Sequence, residues 1–165
     1  MKREMDSRIR GNAPPSHAST KHEISAGGVV FRITSETKPE RFKILLIKDS
    51  YGRWALPKGH IGDKIKGETS EHAALRECSE ETGIPLKDLK IIDKLGDIQY
   101  FYQLKGERIF KIVRFFLIKS TSEELKKCWE IQDVRWFEPE IAVSKNEYAN
   151  SRAIIEKAVE KIKVL

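Results

Sequence analysis

Two segments decide the fold of this chain: LPKGH at residues 56–60 and RECSEETGI at residues 76–84. Proline and glycine mark the first segment as a turn. The second segment lies in a helical pattern that runs from about Thr69 to Thr82, and Gly83 follows where helices commonly end. The two segments therefore predict a turn and a helix, joined by a loop rich in glycine and lysine.

Three glutamates share one side of the predicted helix. Glu77, Glu80 and Glu81 stand at i, i+3 and i+4 and fall within an arc of about 100°. Like charges at these spacings repel by about 0.2–0.5 kcal/mol a pair, and the helix dipole disfavours anions in the last turn. A solvated acidic face would account for the pattern, but three clustered carboxylates would also suit a hard divalent cation.

The helix resembles the signature of the Nudix hydrolases, commonly written GX5EX7REUXEEXGU, in which U is a bulky apolar residue. Residues 76–84 match the REUXEEXGU part, and Glu68 stands eight residues before Arg76, as the signature requires. Cys78 occupies the first U position, where a buried free cysteine acts as a small hydrophobe. Several fixed identities at fixed spacing make this resemblance specific.

The first glycine of the signature departs from the written spacing. In the family this glycine closes a Pro-Lys-Gly-His-type turn and precedes the glutamate by six residues. Gly62 has that spacing to Glu68, whereas Gly59 has the right neighbours but precedes Glu68 by nine. We interpret the difference as a three-residue insertion within residues 62–66, which leaves Gly59 as the counterpart of the family glycine.

Length and composition are those of one globular domain. The chain has 165 residues, 39% of them hydrophobic and 34% charged, enough for a single core. No apolar run approaches the ~20 residues of a membrane span, and the amino end lacks an apolar signal core, so we expect a cytoplasmic protein. Cys78 and Cys128 have no paired metal-ligand spacing, and we expect both to be reduced thiols.

The chain is basic, with a net charge of +6 and a pI near 9.3. Such a charge is compatible with nucleic-acid binding. The lysines and arginines are spread along the chain, however, with no dense basic tract and no aromatic stacking motif of the RNA-binding kind. This distribution of charge is equally compatible with the binding of a small polyanion.

The rest of the sequence predicts an extension and one domain. Residues 1–21 are polar, carry the pair Pro14-Pro15 and predict a disordered amino-terminal extension, which leaves residues 22–165 as the domain. Apolar runs and turn residues in this domain predict a series of strands, at 24–31, 42–47, 91–102, 108–118 and 129–137. The third and fourth strands form a hairpin around Gly106, and the chain closes with a short helix after Glu138 and an amphipathic helix from Tyr148 to Val164.

The hairpin places polar side chains on an apolar face. Lys111 shares its face with Ile109 and Val113, so its ammonium group either reaches the rim of the sheet or meets an anion in a cleft. Tyr100 and Tyr102 share a face in the same way. Two tyrosines in this position either pack at a sheet edge or stack on a nucleobase.

The resemblance implies an α/β fold, the Nudix-type α/β/α sandwich with a mixed β-sheet, over roughly residues 22–165. Within the family, the segment LKGERIFK at 104–111 and the residues WE at 129–130 with Trp136 are similar to the bacterial diadenosine tetraphosphate hydrolases. This narrower match rests on fewer residues than the helix signature does.

The resemblance also implies a set of site residues. In such proteins Mg²⁺, which Mn²⁺ can replace, is bound by the backbone carbonyl at Gly59 and by the carboxylates at Glu77, Glu80 and Glu81. A further glutamate from a late strand often assists, and Glu130 is the position that matches it. Polyphosphate and base contacts fall on Lys111, Tyr100 and Tyr102. Lys58, next to Gly59, either contacts a phosphate or only shapes the turn. Arg76 and Glu68 are expected to support the site rather than touch the substrate.

The resemblance therefore predicts a magnesium-dependent hydrolase that cleaves a phosphoanhydride bond of a nucleoside polyphosphate. The favoured substrate is diadenosine tetraphosphate, which would be cleaved to ATP and AMP. Either Glu77 or Glu130 would act as general base. The alternatives are an oxidised nucleoside triphosphate, a 5′-triphosphorylated RNA end or a diphosphoinositol polyphosphate as substrate, or a non-catalytic Nudix-like module that binds nucleotide or RNA. We expect a monomer or a weak dimer that needs no membrane.

Overall fold

The computed structural model describes residues 19–165. These residues form seven strands, three α-helices and a 3-10 turn at Leu86–Asp88. In chain order the strands and helices are β1 Lys21–Ser35, β2 Arg41–Lys48, β3 Trp54–Ala55, β4 Lys58–His60, α1 Ser70–Thr82, β5 Leu89–Leu104, β6 Glu107–Ser120, β7 Asp133–Phe137, α2 Pro139–Lys145 and α3 Ala149–Lys163. Residues 1–18 of the predicted extension lie outside the described part, and β1 begins at Lys21, one residue before the predicted domain start.

The strands form one mixed sheet. Its main order is β3-β2-β1-β6-β5, while β4 pairs with the start of β1 and β7 pairs with β2. β1 and β6 are parallel, and the other pairs are antiparallel. The long β1 therefore supports both the turn that carries Gly59, on β4, and the hairpin that carries Lys111, on β6.

Helices cover both faces of the sheet, which confirms the predicted α/β/α sandwich. On one face α1 packs through Ala73, Ala74 and Cys78 against residues of β1 and β6. On the other face α3 packs through Ile154, Ile155, Ala158, Val159 and Ile162, with Ala142 of α2. Because apolar side chains of β1 and β6 alternate between the two cores, the sheet is buried on both sides in its centre.

Local signals set the bounds of α1, and they confirm the prediction. The hydroxyl of Thr69 accepts a hydrogen bond of 3.1 Å from the backbone N–H of His72, which caps the amino end. Gly83 adopts a left-handed conformation with φ of 78°, and its N–H donates to the carbonyl of Ser79. A glycine at this position ends a helix with little steric strain.

The predicted hairpin is also confirmed. β5 and β6 are joined by Lys105 and Gly106, both at positive φ, and Tyr100 lies opposite Lys111 in the register. The strand predicted at 129–137 is wrong in its first half, because only Asp133–Phe137 pair with β2. Asp133 lies opposite Lys48, the last residue of β2, so no partner remains for the residues before it.

Trp129 and Glu130 consequently lie in a turn, and the side chain of Trp129 is 90% exposed. Both cysteines are free thiols, as predicted, and Cys78 is buried. Across residues 19–165, no helix combines the length and the apolar character that crossing a bilayer requires.

Gly27→Ala is expected to destabilise the protein, because β1 passes very close to the turn before β4. A Cβ at residue 27 would lie 2.3 Å from the carbonyl oxygen of Pro57 and 2.6 Å from Cβ of Lys58. We expect a loss of about 2 kcal/mol or more in the free energy of unfolding, measured by urea denaturation.

Ser25→Ala is the matched control on the same strand. Its hydroxyl is buried and has no hydrogen-bond partner among the described residues, so its removal should cost little stability. Equal stability of Gly27→Ala and wild type would show that the close approach has no energetic consequence.

Candidate active site

A cleft of about 750 Å³ opens over the face of the sheet that carries Tyr100 and Lys111. Its walls come from the β2–β3 loop, β3, β4, α1, β5, β6, the 130–131 turn and the start of α3. The polar side chains that line it include Arg53, Lys58, Glu81, Glu130 and Tyr148. The cleft thus presents cations, carboxylates and aromatic rings together.

The turn at residues 56–60 is pressed against α1. A Cβ at Gly59 would lie only 2.1 Å from Cδ of Glu77, so the absence of a side chain lets this carboxylate approach the backbone. Gly59 is therefore the position where the turn and the helix meet. This contact agrees with Gly59, rather than Gly62, as the counterpart of the signature glycine.

Arg76 holds this junction together from within. Its guanidinium donates twice to Glu68, over 2.7 and 3.0 Å, and it also donates to Glu77 over 2.7 Å and to the carbonyl of His60 over 3.1 Å. The side chain of Glu68 is fully buried, and the backbone N–H of Gly62 donates to it over 3.2 Å. The guanidinium, and to a smaller extent Gly62 and His72, lower the pKa of Glu68 to about 2.

Glu81 lies on the cleft side of α1 and faces the same turn. The backbone N–H of Lys58 donates to its carboxyl group over 3.3 Å. Burial first, and then the negative charge of Glu77, raise the pKa of Glu81 to about 8. Glu77 and Glu81 are thus brought together on either side of the backbone at 58–59, with negative charge that the neighbouring groups do not fully offset.

Glu80 contacts two cations, Lys64 and Arg76. Its carboxylate accepts a hydrogen bond of 2.6 Å from Nζ of Lys64, in the inserted loop, and lies 3.4 Å from the guanidinium of Arg76. As the side chains stand, no three His, Cys, Asp or Glu side chains of residues 19–165 lie close enough to hold an ion. Glu77 and Glu80 share one nitrogen of Arg76, and the charge of Glu77 acts on Glu81, but the three carboxylates do not form one cluster.

The donors that α1 and the turn provide nevertheless fit a hard cation. Glu77, Glu81 and the backbone at Gly59 offer only oxygen atoms, which is the ligand type that Mg²⁺ prefers. The raised pKa of Glu81 reflects a carboxyl group that is buried beside a second negative charge. A divalent cation between these groups would remove that electrostatic cost.

Glu130 reaches the cleft from the turn before β7 rather than from a strand. Its residue is exposed, yet it lines the cleft and its charge contributes to the raised pKa of Glu81. The prediction that Glu130 belongs near the carboxylates of α1 is compatible with this placement, although the predicted strand is absent.

Lys111 lies in the cleft wall and not at the rim. Only 9% of the residue is exposed, and its Nζ lies 3.8 Å from the carboxylate of Glu23 and 3.3 Å from Nε2 of His60. Burial first, and then the charge of Lys58, lower the pKa of Lys111. Tyr100 and Tyr102 line the same wall with ring centroids 6.1 Å apart, so the tyrosines and the lysine are one group of side chains.

The sequence analysis missed several residues of this site. Glu23, on β1, accepts a hydrogen bond of 2.7 Å from the hydroxyl of Tyr102. Burial along β1 does not alternate from Ser25 to Phe31, so the strand pattern gave no signal for Glu23. Arg53, from the β2–β3 loop, lies over the ring of Tyr148, which precedes α3, and no local pattern links two residues so distant in sequence.

The chain matches one family model and several known proteins. Residues 21–158 match the family model for the NUDIX domain. A protein named mutator protein MutT4 from Mycobacterium tuberculosis (strain CDC 1551 / Oshkosh) is 33% identical over 96% of this chain and 70% of its own length. The asymmetrical bis(5′-nucleosyl)-tetraphosphatase of Mus musculus is 30% identical over 70% of this chain and 76% of its own length.

A solved structure shows the same fold. The crystal structure of a C. elegans Ap4A hydrolase binary complex superposes with a TM-score of 0.69 and 28% sequence identity. The match covers 87% of this chain and 99% of the other.

Stability is expected to fall in acid because of Glu68. The pKa of this carboxyl is about 2 in the folded protein and near its ordinary value of 4.5 in the unfolded chain. Its contribution to stability is therefore fully present above about pH 5 and is lost as the pH falls towards 2. Urea denaturation at several pH values should show this loss in the wild type.

Glu68→Gln should lower the free energy of unfolding at pH 7 by about 3 kcal/mol, because it leaves the buried Arg76 without its main partner. It should also flatten the pH dependence between 5 and 2. Glu71→Gln, which changes an exposed carboxylate on the same helix, is the control and should follow the wild type. An unchanged acid dependence in Glu68→Gln would contradict the role assigned to this pair.

Proposed function

The chain belongs to the Nudix hydrolase family, and from that premise we propose that it hydrolyses a dinucleoside polyphosphate, with diadenosine tetraphosphate as substrate. It is a Nudix pyrophosphohydrolase, as the family match and its hydrolase relatives show. The asymmetrical tetraphosphatase and the Ap4A hydrolase structure support the narrower substrate, since each covers more than two thirds of the chain.

The observation that carries this proposal is the composition of the cleft. The buried carboxyl of Glu81 lies in the same cavity as Lys58, Lys111 and the two tyrosines of β5. A polyphosphate needs cations along its length, and a nucleobase needs an aromatic surface beside it. A cleft of about 750 Å³ is within the range for small-molecule sites, about 300–1,000 Å³.

Glu77, Glu81 and the carbonyl of Gly59 would hold Mg²⁺, with Mn²⁺ as a substitute, and Glu80 would join them when Lys64 releases it. When bound, the metal would supply Lewis-acid stabilisation of the negative charge on the phosphates. Arg76 fixes Glu77 and the turn in place and is itself held by Glu68. These two residues therefore position the ligands and do not contact the substrate.

The remaining side chains bind the substrate and move the proton. Lys58 and Lys111 pair with the phosphates, and Tyr100 and Tyr102 stack on one base. Attack of water on a phosphorus atom breaks one P–O–P bond, and the leaving phosphate keeps the electron pair. We assign the proton of that water to Glu130, because Glu77 is already engaged by the guanidinium of Arg76 whereas Glu130 lies exposed at the cleft.

A substrate screen tests the proposal directly. With Mg²⁺ present, the protein should convert diadenosine tetraphosphate to ATP and AMP, identified by mass, faster than it cleaves other candidates. The other candidates are oxidised nucleoside triphosphates, 5′-triphosphorylated RNA and diphosphoinositol polyphosphates. Hydrolysis of any of these with inertness towards diadenosine tetraphosphate would overturn the substrate assignment while keeping the reaction class.

Glu81→Gln is expected to lower kcat by about 100-fold or more, because it removes a charged oxygen ligand and leaves the backbone contact with Lys58 intact. Hydrolysis and equilibrium binding of diadenosine tetraphosphate should be measured side by side. Glu156→Gln, on the exposed side of α3, is the control and should behave as wild type. If wild type and Glu81→Gln bind equally and neither hydrolyses any candidate, the chain is a binding module and not an enzyme.

A further inference from the structure

Glu23 places a carboxylate next to the groups that would meet one end of the substrate. Its Oε2 accepts the hydrogen bond from Tyr102 and lies 3.8 Å from Nζ of Lys111 and 3.7 Å from Nε2 of His60. Tyr102 and Lys111 line the cleft, and Glu23 contacts both from behind. One largely buried carboxylate therefore contacts Tyr102, Lys111 and His60 together.

This carboxylate is ionised and poorly screened. Its side chain is 12% exposed, and that of Lys111 is 11% exposed. The hydrogen bond from Tyr102, followed by the nearby cations, lowers the pKa of Glu23. Charge effects between groups so close and so little exposed are much stronger than they are in bulk water.

A terminal phosphate and a terminal nucleoside would interact differently with the negative charge of Glu23. A bare terminal phosphate carries more negative charge than a phosphate esterified on both sides, and at Lys111 it would meet an ammonium group already offset by Glu23. A ribose and base carry no such charge and can use the rings of Tyr100 and Tyr102. The wall formed by Tyr100, Tyr102 and Lys111 thus disfavours binding of a terminal phosphate and allows binding of a terminal nucleoside.

We propose that Glu23 is a specificity-determining residue that excludes a bare phosphate terminus from this end of the cleft and reserves it for a nucleoside. This inference rests on the proposed function, because it assumes that the cleft takes a polyphosphate chain. It adds the residue that distinguishes a nucleoside-capped polyphosphate from an inorganic one.

The test compares inorganic tetrapolyphosphate with diadenosine tetraphosphate, which contain the same number of phosphates and differ in their ends. Equilibrium binding is measured by calorimetry in EDTA, so that no turnover occurs. Glu23→Gln keeps the shape of the side chain and an oxygen that accepts from Tyr102, but removes the charge. It should bind inorganic tetrapolyphosphate about tenfold more tightly than wild type and change the affinity for diadenosine tetraphosphate by less than about threefold.

Three further variants separate charge from structure. Asp63→Asn removes a carboxylate that also lies near His60, 3.4 Å from Nδ1, and acts on Lys111, but it is 68% exposed and screened by solvent, so the ratio of the two affinities should change by less than about twofold. Glu23→Asp keeps the charge and should keep the discrimination. Tyr102→Phe removes the hydrogen-bond donor and should likewise leave the exclusion of tetrapolyphosphate in place.

The inference is overturned if Glu23→Gln leaves the ratio of the two affinities unchanged, or if wild type binds tetrapolyphosphate as tightly as the dinucleotide. It is also overturned if wild type binds neither ligand. Hydrolysis of diadenosine tetraphosphate by wild type is assayed separately with Mg²⁺. A protein that shows the expected binding ratios but does not hydrolyse the dinucleotide would refute the proposed function and support the role of Glu23.

Discussion

The buried guanidinium of Arg76 is the interaction on which the site depends. It joins three parts of the chain: the end of the loop before α1 through Glu68, the turn through the carbonyl of His60, and α1 through Glu77. Carboxylates packed along one turn of a helix repel each other. A shared cation in the protein interior offsets part of that repulsion, and Glu81, one helical turn after Glu77, faces the cleft.

The sequence was sufficient for the features that depend on local chemistry. Thr69 and Gly83 set the ends of α1 through their own side chain and backbone, and Lys105 with Gly106 forms the hairpin turn in the same way. The first half of the strand predicted from Trp129 was wrong, because strand-like residues begin before Asp133, the position where β2 ends. Pairing depends on the length of the partner strand, which the alternating pattern does not contain.

The sequence predicted which residues belong to the site better than it predicted how their side chains are arranged. The signature identified the carboxylates, but it could not show that Glu80 pairs with Lys64 in the loop before α1. Glu23 and Tyr148 enter the site from β1 and from the residue before α3, so only the tertiary fold brings them to the cleft. Loops and buried polar contacts of this kind determine which substrate a common fold accepts.

The parallel pairing of β1 with β6 affects how the protein is made. Lys21 lies opposite Ile109, and Phe31 lies opposite Lys119, so residues 21–31 of β1 pair with residues that come 88 positions later in the chain (109 minus 21). During synthesis α1 emerges long before the centre of the sheet can close. Contacts of such large separation fold slowly, and the half-made chain exposes an apolar strand until β6 arrives. The nascent protein is therefore most vulnerable to aggregation, and most in need of a chaperone, while residues 36–108 are being translated.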